Sequence, residues 1–141
     1  MAPIEGPVTP KGWPRGHGFS HAIVSKPGHQ LHIAGIASLD PVNGKSLWIG
    51  DLPKQWGQIL KNMCEVLTAA GAKPADVGAL RLYVTDRDAY HANRKAMGEE
   101  FKKYFQNHFP AMTLIGVAKL FSDDFMIEVE ADAVIPMDSG R

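Results

Sequence analysis

The segment running from Phe125 to Val134, FMIEVEADAV, constrains this chain more than any other. Phe125, Ile127, Val129, Ala131 and Ala133 fall on one side of a two-residue period, and Glu128, Glu130 and Asp132 on the other. Such alternation specifies a strand with one apolar face, because successive side chains of an extended chain point to opposite sides. Three acids on one face of a short strand repel one another unless solvent, a cation or a ligand separates them. The segment therefore belongs to a sheet with a core on one side and a row of carboxylates on the other. A solvated strand face is the plain reading of that row. The sharper one is a carboxylate held in a cleft and used for proton transfer.

The rest of the chain supplies what such a sheet needs. ALRLYVT (Ala79 to Thr85) alternates in the same way, with Leu80, Leu82 and Val84 apolar. From Pro53 to Ala70, residues Trp56, Ile59, Leu60, Met63, Leu67 and Ala70 recur at helical spacing, with Pro53 in the first turn and Gly71 just past the end. From Asp88 to Asn107, Tyr90, Met97, Phe101, Tyr104 and Phe105 form a second helical stripe that Pro110 stops. Earlier, Phe19 to Ser25 and Gln30 to Ser38 flank the turn residues Lys26 to His29 and read as a β-hairpin. Its second strand is apolar at most positions of both faces, which predicts burial on both sides, and Gly35 within it marks a bulge or a close approach. Asn43-Gly44 marks a turn, Ser46 to Ile49 a short further strand, and Met112 to Leu120 the strand before the last.

This order gives an α+β fold, a mixed six-stranded sheet with two helices packed on one face. The other face then needs cover, which an identical neighbour can supply. One domain spans residues 17–136, preceded by an irregular Pro-rich arm (1–16) and followed by a short tail (137–141).

Composition removes several classes of function. Fifteen basic and fifteen acidic residues cancel across 141 residues, with no Lys/Arg cluster interleaved with aromatics, so nucleic acid is not an expected partner. No apolar run approaches the ~20 residues of a membrane span, and the lone Cys64, in a helical apolar pattern, reads as a core residue in a reducing compartment. A soluble, cytoplasmic protein is the expectation. His17 and His21 would share a face only on a helix, which Gly16 and Gly18 oppose, so no metal site is expected. Glycine-rich phosphate loops and nucleophile elbows are missing.

Several pieces of the sequence, taken in order, resemble the Rid (YjgF) family of enamine/imine deaminases between about Gly18 and Pro136: GFSHA, IAGIASLDPVNGK, EVLTAAGAKPADV, RLYVTDRDAYHANRKAMGEEF, FPAM and MIEVEADAVIP. The resemblance implies a chorismate-mutase-like fold, a homotrimer with ligand clefts between subunits, and addition of water to a small imine or enamine with release of ammonia, without metal or organic cofactor. It places Glu128 on the family's water-activating glutamate, and Phe19, Gly35, Ile36, Asn93, Met112 and Leu114 around the substrate.

The departures matter as much. The family's Pro-Ala-Arg reads Pro110-Ala111-Met112 here, its early Tyr is Phe19, and its Ser-Gly-Gln is Ala34-Gly35-Ile36. Arg makes two parallel charge-assisted hydrogen bonds to a carboxylate that Met cannot, a loss on the order of 2–5 kcal/mol. The expected cleft is apolar, keeps a carboxylate and suits a substrate larger or less polar than 2-iminopropionate. Arg81, Arg94 or Lys119 could replace the missing cation, though Lys119 differs from Met112 in strand parity. The alternative is a non-catalytic trimer that binds a small metabolite or serves a regulatory role. Neutral charge balance argues against a ribonuclease role.

Overall fold

A computed structural model describes residues 5–137; residues 1–4 and 138–141 lie outside the described residues, and with them all of the expected tail but Met137. Ten residues of alternating pattern at the C-terminal end form the longest strand, β6 (Ile127–Pro136), at the heart of the sheet. β3 (Gly28–Ile36) and β4 (Val77–Val84) flank it antiparallel, and β5 (Ala111–Gly116) adds parallel to β4, giving the order β3-β6-β4-β5. The sheet is mixed, as expected.

Its apolar face is the one the alternation marked. Leu80, Leu82, Val84, Ile127, Val129 and Ala131 are buried there under α1 (Leu52–Ala69), which contributes Ile59, Leu60, Met63 and Leu67 at full burial. Each such side chain removed from water contributes roughly 1.5–3 kcal/mol, so this layer is a major source of the fold's stability. Asp51 caps the helix by accepting from the Lys54 N–H at 3.0 Å, and Gly71, at φ 77°, turns the chain out of it.

Among the described residues, α1 carries two polar side chains into this layer. Gln55, fully buried, donates to the carbonyls of Trp48 and Asp124 and accepts from the Met126 N–H at 2.9 Å. Asn62 donates to Leu39 O at 2.8 Å. Both bind loops to the helix, and their partners explain how they can be buried.

Several expectations need correction. The hairpin does not form: β2 (Ala22–Val24) pairs with β1 (Gly6–Val8), drawn from the arm expected to be irregular, while β3 pairs with β6. Three residues offer β3 little ladder beside the ten of β6. The six strands accordingly divide into a four-stranded sheet and a two-stranded ribbon. Ser46 to Ile49 yields only an isolated bridge, Leu39 to Ser46.

β3 is an edge strand buried on one side only, with Ile33 inside and His32, Ala34 and Gly35 exposed. The expected second helix is two, α2 (Arg87–Ala92) and α3 (Arg94–Phe105), because the Asn93 side chain donates back to Ala89 O at 2.7 Å and its backbone leaves the helical region. Cys64 is only half-buried, and that burial pushes its thiol pKa up.

Candidate functional site

The carboxylate row lies on the open face of the sheet, and two of its three members are satisfied. Arg81, opposite on β4, reaches Glu130 Oε1 at 2.7 Å and Asp132 Oδ2 at 2.9 Å. Tyr83 donates to Glu130, and His32 on β3 meets Asp132 at 3.0 Å. The Tyr83 hydroxyl, then Arg81, hold the Glu130 carboxyl below the usual carboxylate range; His32, then Arg81, do the same for Asp132. One guanidinium thus quiets two acids.

Glu128 is different. Among the described residues it has neither a hydrogen bond nor an ion pair, although Tyr83 faces it across the ladder. Its carboxylate lies over Gly35, where the β3 ladder slips between Ile33 and Ile36. A side chain at position 35 would collide with the Glu128 carboxylate, so glycine leaves the room this acid occupies. The expected bulge and the expected close approach are both there, and what approaches is the carboxylate.

On the opposite side of the sheet, where the helices pack, lies a cavity of about 810 Å³. That volume is within the range of small-molecule sites. Met112 and Leu114 form its floor, sharing the face of their β4 partners Leu80 and Leu82. Phe19, Phe101 and Phe109 add aromatic walls. Phe19 is set by its loop: Ser20 donates from its backbone to Pro110 O at 3.0 Å and from Oγ to Phe109 O at 2.5 Å. Gly16 permits the ring to fold back, since a Cβ there would approach it to 2.8 Å. Trp56 stacks on Phe101 at 6.0 Å with 8° between planes and donates to Met97 O at 3.0 Å, fixing the inner wall.

Of the residues assigned to the substrate, Phe19, Met112 and Leu114 come together in this cavity. Gly35 joins Glu128 on the open face. Ile36 packs into the core beside Val129, and Asn93 serves the helix break. A single chain therefore presents the cavity and the Glu128 carboxylate on opposite faces of its sheet. Arg81 is engaged with acids, Lys119 is exposed beyond the end of β5, and Arg94 lines the cavity.

The sequence reading missed Gln55 and the aromatic wall of Phe101 and Phe109. Gln55 carried a legible signal, standing one turn before Ile59 on a buried stripe where a lone amide must find partners. Among the described residues no three His, Cys, Asp or Glu side chains converge as a metal site would require, and no helix is long and apolar enough to cross a membrane.

Comparison with known proteins follows the same outline. The family model described as Endoribonuclease L-PSP matches residues 14–135. A RutC family protein of Pyrococcus horikoshii is 35% identical over 115 residues, 82% of this chain and 85% of that one. The human 2-iminobutanoate/2-iminopropanoate deaminase is 33% identical over 104 residues, 74% of this chain and 72% of the human protein. A crystal structure of YyfB from Yersinia pestis, a Rid protein of unknown function, superposes with a TM-score of 0.82 at 36% identity, covering 92% of this chain and 97% of that one.

Proposed function

The chain belongs to the Rid (YjgF) family and is related to imine deaminases, and from that premise we propose that it hydrolyses a small imine or enamine larger or more apolar than 2-iminopropionate. The observation that carries the reading is the unpartnered Glu128 carboxylate, seated over Gly35 while its two acidic neighbours on the strand are paired with Arg81. A free carboxylate beside bare backbone is fit to hold and deprotonate a water molecule.

In the proposed reaction the water oxygen bonds to the imine carbon as Glu128 takes its proton. The π pair of the C=N bond moves to nitrogen, which takes that proton back from Glu128. Glu128 then carries the hydroxyl proton of the carbinolamine to its amine nitrogen as the C=O bond forms and the C–N bond breaks, releasing ammonia and leaving a carbonyl compound. No redox change occurs, and Glu128 ends as it began.

Because the acid and the cavity lie on opposite faces of one sheet, the complete site in this reading forms between copies, most simply in a homotrimer. The cavity of one copy holds the substrate and Glu128 of the partner subunit meets it. An identical neighbour would also cover the open face. The same separation favours, as a second reading, a metabolite-binding trimer in which Glu128 takes no chemical part.

Ammonia release from imines generated in place by an amino-acid oxidase separates the two. Wild type should accelerate release over the uncatalysed rate, and Glu128→Gln should abolish at least about a hundredfold of that acceleration. Equal rates for the two proteins would remove Glu128 from the chemistry.

A further inference from the structure

The cavity on the helix side has a charge pattern that its apolar floor does not explain. Arg94, Lys95 and Lys102 line it together with Phe19, Phe109 and Met112, and no Asp or Glu does so. None of the three cations forms an ion pair among the described residues, in a chain whose net charge is zero. The first turn of α3 contains no acid, and Arg94 and Lys95 stand there against the helix dipole, so helix stability gives no reason for them. Unpaired cations gathered over aromatic walls in a concave site match a ligand with an anionic head and an apolar body.

Arg94 is the best placed of the three. It is the first residue after the break at Asn93, and its charge is felt at the half-buried Tyr90 hydroxyl on the far side of that break, where burial raises the pKa and Arg94 opposes the rise. Tyr90 lines the same cavity. A guanidinium offers a planar pair of donors that fits a carboxylate, which the two lysines cannot reproduce.

We propose that Arg94 is the anion-holding residue of this chain, having taken over from helix α3 the task that Met112 cannot perform on β5, and that the ligand is a carboxylate with an aromatic side chain lying against Phe19, Phe101 and Phe109. This deepens the reading above by naming the substrate class, and it rests on the cavity being where that substrate is held. Arg94 is a specificity-determining residue; the proton work stays with Glu128.

Calorimetric titration with unreactive probes tests the assignment without requiring turnover. The probes are 3-phenylpropanoate, its neutral amide 3-phenylpropanamide, and propanoate. Wild type should bind 3-phenylpropanoate at least tenfold more tightly than either of the others. Arg94→Gln should lose about tenfold for the acid and nothing for the amide, with Arg94→Lys intermediate and circular dichroism confirming that all variants fold.

The ammonia-release assay reads Glu128 and these titrations read Arg94, so a failure of the catalytic reading leaves this binding result standing. Equal affinity for acid and amide, or an Arg94→Gln variant indistinguishable from wild type, overturns the proposal. So does tight binding of propanoate alone.

Discussion

The two faces of the four-stranded sheet differ in what they leave unfinished. On the open face almost every charge is answered: Arg81, Tyr83 and His32 settle Glu130 and Asp132, and one carboxylate, Glu128, is left over. On the helix side the cavity is apolar at its floor and the surplus is cationic, at Arg94, Lys95 and Lys102. In the proposed reading the spare acid of one copy meets the spare cations of another, because a single chain keeps them apart by the thickness of its own sheet.

The largest expected effect comes from testing that division directly. Glu128→Gln and a cavity-filling Met112→Trp variant should each be inactive alone. Unfolded together and refolded as mixed oligomers at equal amounts, they should regain about a quarter of wild-type ammonia release, because one neighbour pair in four then combines an intact cavity with an intact acid. A mixture as inactive as its parents would mean that both halves must come from one chain, and the between-copies site would be lost. Light scattering that gives a stable monomer for wild type would have the same force.

A smaller effect is expected at Gly35. The atom that a new Cβ would strike is the far end of the Glu128 side chain, which can swing away. Gly35→Ala should therefore leave the thermal midpoint within a few degrees of wild type while lowering kcat about tenfold by moving the acid. Loss of stability without loss of turnover would show that the glycine serves the strand and not the carboxylate.

How much of this was legible in the sequence depends on how local the physics was. The alternation of β6 and β4, the capped stripe of α1 and the bulge at Gly35 follow from period, caps and the absence of one side chain, and these were read correctly. The pairing of β2 was not, because a three-residue strand carries no pattern that names its partner, and Gly6–Val8 gave no sign of being a strand at all. The break at Asn93 depended on a side chain bonding back one turn, which helical periodicity passes over. That Met112 and Glu128 face opposite ways follows from strand register, which neither segment shows alone.

The smallest predicted effect concerns the answered charges. Glu130 and Asp132 are both held below the ordinary carboxylate range when folded. The stability they add is therefore present above their unfolded values, near pH ~4, and is lost as pH falls through the lowered folded ones. Arg81→Met removes a shared partner, so the urea midpoint of wild type should fall more steeply than that of the variant between about pH 5 and pH 2. With side chains 33% and 41% exposed the difference should be slight. Parallel curves would show that the network is electrostatically idle.

Gln55 makes the two faces less independent than they look. Its amide, sealed in the helical layer, grips the chain at Asp124 and Met126, just upstream of the residue expected to handle the proton. Any tilt or slide of that helix would pull on the root of the last strand, so the layer that seals the core and the strand that carries the acid are tied by a shared buried amide.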